Sequence, residues 1–161
     1  MEDFKSRLDM VLSGLCAGLL AFMTILTIFQ VFMRYVIQQP STVSEDLLGF
    51  AFVWVSLLAT ALVFGQKDHI KITLLSDKIT GIGGLILKIF SEVLIMIVAM
   101  AVFVIGGKYL MDVGALQLSP TLGINLNWIY IVLPISGILI IFYNIHFILM
   151  EVKNYRQGVF K

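Results

Sequence analysis

The chain has 161 residues, of which 60% are hydrophobic and 13% charged, and its mean hydropathy is +1.01. Soluble domains carry about 25% charged residues, so this composition excludes an ordinary water-facing surface and defines an integral membrane protein. A formal charge of +1 supplies no basic stripe for nucleic acid, and Cys16, the single cysteine, excludes an intrachain disulfide or a cysteine-rich metal site.

Asp9 and Arg34 bracket a charge-free run over 10–33. At about 1.5 Å per residue, a helix of that length exceeds the roughly 30 Å hydrocarbon core, and the first transmembrane helix is predicted over 10–36. Lys5 and Arg7 before an apolar run also suit a cleaved signal peptide, but the run is too long and no small-x-small site ends it. Lipoprotein processing at Cys16 is disfavoured because Leu15 stands where a small residue is required. Gly14 and Gly18, continued by Ala21, form a small-xxx-small pair that permits close helix approach in lipid. Thr24, Thr27, Gln30 and Arg34 recur at helical spacing as a polar stripe, which more often means helix packing than an ion path.

Ser44, Glu45 and Asp46 resemble a capped helix start with acids on the favourable end of the dipole, and the second helix is predicted over 44–66. Its mostly small face comprises Gly49, Val53, Ser56 and Thr60, while Trp54 lies well inside the span. Residues 68–80 mix charge with Ile and Leu, as a short interfacial amphipathic helix or an ordinary polar loop would.

The third helix is predicted over 84–112. Lys88 with Glu92, and Lys108 with Asp112, are i,i+4 pairs near its two ends. Ser119-Pro120, Gly123, Asn125 and Asn127 then read as a loop, and the fourth helix is predicted over 126–150. Pro134 removes a backbone donor there, with Ser136 and Gly137 nearby, so a kink is expected. Trp128 and Tyr130 fall where an outer aromatic belt belongs. Each span must satisfy its own backbone in lipid, so the fold class is all-α with four transmembrane helices in one membrane domain.

Lys5 and Arg7 precede the first helix, Lys67, Lys71 and Lys78 follow the second, and Lys153, Arg156 and Lys161 follow the fourth. The opposite side has Arg34 and Lys108. Positive residues are retained in the cytoplasm, which predicts cytoplasmic N- and C-termini and outer loops at 38–44 and 114–125. Arg34, Glu45, Asp46, Lys108 and Asp112 then gather at the outer interface as structural or partner contacts. Of these, an ion pair between Arg34 and a carboxylate, with Glu45 the favoured partner, is expected to tie the first helix hairpin. His69, Lys88 and Glu92 are assigned to the inner interface.

Catalytic supply is thin. His69 and His146 are the two histidines, and a haem held between them is disfavoured because His69 falls outside the second helix. A carrier acting alone would place charges or broken helices near the midplane. The second helix has none, and Glu92 has Lys88 one turn earlier to neutralise it. No catalytic residue, metal site or cofactor is expected, and the residues by themselves describe a four-helix membrane subunit.

Several motifs nevertheless come in a telling order: Arg34-Tyr35-Val36, Ser44-Glu45-Asp46-Leu47, Phe52-Val53-Trp54 and His69-Ile70-Lys71-Ile72. They are followed by Gln117, Ser119-Pro120, Leu122, Ile124, Trp128, Tyr130, Pro134 and Gly137. Across most of the chain this resembles the small membrane subunit of tripartite ATP-independent periplasmic (TRAP) transporters. Val43, Asp46, Gly49 and Asn125 depart from the residues that family often has there.

The resemblance implies a bacterial or archaeal importer of organic acids such as C4-dicarboxylates or sialic acids, driven by an ion gradient, with sodium as the expected ion. It implies two protein partners: a large multi-helix membrane subunit that moves in an elevator-like way, and an extracytoplasmic substrate-binding protein. This chain would be the non-catalytic scaffold in the inner membrane. The rival reading is a membrane-anchor subunit of a respiratory enzyme, which binds haem or quinone.

Overall fold

The computed structural model describes residues 2–66 and 82–156, with side chains over 5–66 and 89–150. The 68–80 segment with His69, and the Lys88 side chain, lie outside the described residues. Helix α1 spans Glu2–Phe32 and continues as a π-helical turn, Met33–Ile37. It ends where Gln38 takes a left-handed conformation (φ 59°) and the N–H groups of Gln38 and Gln39 both turn back to the Met33 carbonyl. Pro40, two residues on, cannot continue a helix.

Helix α2, Thr42–Gln66, begins two residues before the sequence expectation. Its cap is Ser41, whose Oγ accepts the Ser44 N–H at 3.4 Å while Ser44 Oγ donates back to the Ser41 carbonyl at 2.9 Å. The capping role that the acid cluster suggested for Ser44 thus falls one turn earlier, on a residue that follows proline.

The third span is not one regular helix. Helix α3, Ile82–Val98, widens into a π-helical stretch, Ala99–Ile105, and resumes as α4, Gly106–Gly114. The i→i+5 bonding widens each turn, so contact residues recurring every fourth position, Ala99, Phe103 and Gly107, stay on the side of the last helix. That helix follows a short α5, Asn127–Tyr130, and runs as α6 over Val132–Arg156. The expected kink appears as a break at Ile131, between α5 and α6. Pro134 sits in the first turn of α6, where its missing N–H and its ring are tolerated.

Among the described residues, four helices are long and apolar enough to cross a membrane, over Lys5–Ile37, Thr42–Gln66, Ile89–Gly114 and Asn127–Met150. The protein is therefore an all-helical, multi-pass membrane protein. Helix α1 packs on α2, α2 on α6, and α6 on the third span. The second and fourth spans form the middle of this row, with the first and third as flanks.

Two apolar clusters hold the row together. One joins Leu12 and Cys16 of α1, Val55 and Leu58 of α2, and Val132, Tyr143 and Phe147 of α6. The other is small and tight, with Ala61, Ala99 and Ile140 at its centre. Because lipid removes the hydrophobic drive between helices, close approach must supply the attraction through dispersion. Three glycines provide it between the third and fourth spans. A Cβ on Gly107 would stand 2.9 Å from Leu133 and Pro134, one on Gly137 2.7 Å from Phe103, and one on Gly114 2.7 Å from Tyr130.

Two glycines of the first helix and one of the second behave differently. A Cβ on Gly14, Gly18 or Gly49 would meet nothing within 4 Å. Gly14 and Gly18 lie across α1 from Leu12 and Cys16, so the face they open is turned away from the rest of the chain.

A pinned hairpin at one end of the bundle

Lys5 and Asp9 of α1 lie beside Tyr143 and Phe147 of α6, so the two terminal helices share one end of the bundle. The opposite end carries the 38–41 turn, the acids that open α2, and the connection between α4 and α5.

That connection folds into a small hairpin. Leu118 and Asn125 form an isolated antiparallel bridge, Ser119 N–H donates to Ile124 O at 2.9 Å, and Leu126 N–H donates to Gln117 O at 3.0 Å. Gly123 closes the turn at φ 65°, a left-handed conformation that costs an ordinary side chain roughly 1–2 kcal/mol. Its N–H returns to Ser119 O at 2.9 Å.

What holds the hairpin to the bundle is Asp46. Ser119 Oγ donates to Asp46 Oδ2 at 3.1 Å, and Thr121 Oγ1 donates to the same oxygen. Ser119 is only 2% exposed, and its Oγ also accepts the Leu122 N–H at 3.3 Å. A buried hydroxyl without such partners would be costly. Pinned at this corner, the hairpin leaves Leu116, Leu118, Ile124 and Trp128 exposed, and none of its residues from Ala115 to Leu126 carries a formal charge.

The charges named from sequence take other positions. Arg34, Glu45, Lys108 and Asp112 are all exposed, and none makes an ion pair within 4.0 Å among the described residues. The expected tie between Arg34 and Glu45 is therefore replaced by a tie between Asp46 and two neutral hydroxyls. An exposed pair in high dielectric is worth about 0–1 kcal/mol, too little to hold two long side chains in one geometry. Glu92 is half-buried on α3. Thr24 and Thr27 satisfy their hydroxyls on the Leu20 and Met23 carbonyls, one turn back. Ser56 does the same on Phe52. Among the described residues, three buried side-chain atoms have no hydrogen-bond partner: Gln30 Nε2, Asn127 Oδ1 and Asn144 Nδ2.

The other end holds a second tie that sequence reasoning passed over. Tyr143 donates to Asp9 Oδ1 at 2.5 Å, Lys5 Nζ lies 3.9 Å from Asp9 Oδ2, and the same ammonium sits 5.3 Å from the centre of the Phe147 ring. His146 is buried with its ring edge-on to Phe147. Among the described residues there is no group of three His, Cys, Asp or Glu placed to hold a metal ion.

A row of spanning helices, with polar ties at its two ends and an uncharged hairpin at one of them, defines a membrane subunit built from contacts. The family model described as "Tripartite ATP-independent periplasmic transporters, DctQ component" matches residues 23–154, and the chain belongs to that family. It is 26% identical over 140 residues to a Haemophilus influenzae protein described as a TRAP transporter small permease protein, covering 87% of this chain and 86% of that one. It is also 28% identical over 134 residues to the sialic acid TRAP transporter small permease protein SiaQ of Vibrio cholerae, covering 83% and 75%. The chain is thus a small permease subunit of a transporter, and the respiratory-anchor reading is not favoured.

Proposed function

We propose that this chain is the non-catalytic scaffold of a sodium-coupled tripartite importer in the inner membrane, and that the imported solute is an organic acid of the sialic acid or C4-dicarboxylate class. It would support a large membrane subunit that carries substrate and ion and moves as an elevator. The scaffold role is supported by the row of packed helices, whose two core clusters are apolar and whose glycine contacts leave little room for sliding. The sialic acid suggestion comes from the Vibrio cholerae relative.

The observation that carries the reading is the hairpin pinned by Asp46 at the end opposite the chain termini. Lys5, Arg7, Lys153 and Arg156 put the positive excess at the terminal end, which is accordingly cytoplasmic. The hairpin then faces outward, where the substrate-binding protein delivers its cargo, and its uncharged exposed surface suits docking. The outward faces of Gly14, Gly18 and Gly49 suit close contact with helices of the large subunit.

Co-expression with the large subunit and the binding protein of the same transporter tests this. Co-purification of the two membrane chains, with uptake of sialic acid or a C4-dicarboxylate that requires a sodium gradient, is the expected result. Uptake that persists without this chain would defeat the scaffold role.

A further inference from the structure

Two acids stand side by side at the start of α2, and among the described residues only one has side-chain partners. Glu45 is exposed, whereas Asp46 is half-buried and takes both hairpin hydroxyls on a single oxygen, Oδ2. Ser119 and Thr121 flank Pro120, so the carboxylate grips both sides of the corner that shapes the hairpin. The grip spans 73 residues of sequence for Ser119 and is anchored on a helix whose own start is fixed by the Ser41 cap.

We infer that Asp46 is a positioning residue for docking. It holds the 117–125 hairpin in the shape offered to the extracytoplasmic binding protein, acting through Ser119 and Thr121 rather than by touching that protein. The inference rests on the docking role proposed above. A surface connection left to itself samples many conformations, and binding must then bear the cost of ordering it. Two hydroxyls on either side of Pro120 converge on one acceptor oxygen, so this clamp orders the hairpin when the subunit folds. Since one oxygen accepts both bonds, a carboxamide oxygen at position 46 can do the same without charge.

The test titrates the purified two-subunit membrane complex, immobilised in detergent or nanodiscs, with the transporter's own purified binding protein. Asp46→Ala and the Ser119→Ala/Thr121→Val pair are each expected to raise Kd about tenfold, equivalent to about 1.4 kcal/mol. Asp46→Asn is expected to stay within about twofold of the parent, as a conservative replacement that keeps the acceptor. All three variants should co-purify with the large subunit normally.

Equal losses for Asp46→Asn and Asp46→Ala, or an unchanged Kd for the hydroxyl pair, would assign the effect to charge and overturn the positioning role. Failure of both Asp46→Ala and the hydroxyl pair to co-purify would overturn it too, by moving the clamp to assembly. Leu116→Ser/Leu118→Ser separates the two readings. If it raises Kd while Asp46→Ala does not, docking stands and positioning falls; if neither changes Kd, docking falls and positioning with it.

Discussion

The Tyr143 hydroxyl reaches Asp9 at 2.5 Å, joining the fourth span to the first across 134 residues of sequence. The tyrosine is fully buried, and its ring lies so close to Gly65 that a Cβ there would stand 2.6 Å from it. Three helices are locked by one side chain: α6 supplies it, α2 makes room for it, and α1 accepts its proton donor. Tyr143→Phe should therefore lower subunit stability by about 1–3 kcal/mol, because the hydrogen bond to a charged partner is lost within a part-buried site. The thermal unfolding midpoint in detergent reads this directly. An unchanged midpoint would mean that the phenol is equally well served by water.

Glycines on the inner and outer faces of the row should respond in opposite directions. Gly65→Ala and Gly137→Ala force a methyl against Tyr143 and Phe103, at an expected cost of about 1–3 kcal/mol. Gly14→Ala and Gly18→Ala meet nothing within 4 Å in this chain. They should leave the isolated subunit as stable or up to about 1 kcal/mol more stable, through helix propensity. Unfolding midpoints of the isolated chain measure the first effect. Co-purification with the large subunit then asks whether the Gly14 and Gly18 variants lose affinity for a partner helix; retention of full yield would leave that face to lipid.

Asn144 is 2% exposed and its Nδ2 has no acceptor among the described residues. An unpaired amide in such a place costs free energy without return. Asn144→Leu, which keeps the branched skeleton without the polar atoms, should raise the stability of the isolated subunit by roughly 1–2 kcal/mol. A lower midpoint would reveal a partner for the amide, such as an ordered water.

Arg34 makes no ion pair among the described residues. Arg34→Ala should accordingly leave the unfolding midpoint of the isolated chain unchanged and reduce only the yield of the complex or its uptake. A clear drop in the isolated chain would restore the arginine to a structural role inside the subunit.

The residues named from sequence divide along a physical line. Periodicity and the absence of charge located the four spans, because each must satisfy its backbone internally whatever its neighbours are. Gly137 and Pro134 were legible for the same local reason, although the break fell at Ile131 rather than at the proline. The hairpin was visible as a loop through Ser119-Pro120 and Gly123, yet its anchor was not. Ser119 and Thr121 carry no mark that they will meet Asp46, and of two adjacent acids the sequence favoured Glu45. A one-residue step along a helix rotates a side chain by about 100°, and only the angle at which α2 meets the α4–α5 connection decides which acid points inward.

Amino-acid composition and patterning determined by themselves that this is a four-span membrane subunit poor in catalytic groups. They also pointed to its family, through the order in which its motifs come. The tertiary structure alone decided the row order of the helices, the widening of the third span where Ala99, Phe103 and Gly107 meet α6, and the two ties at opposite ends. Those are contacts between residues far apart in the chain. Their energies depend on burial and angle, quantities that no local stretch of sequence contains.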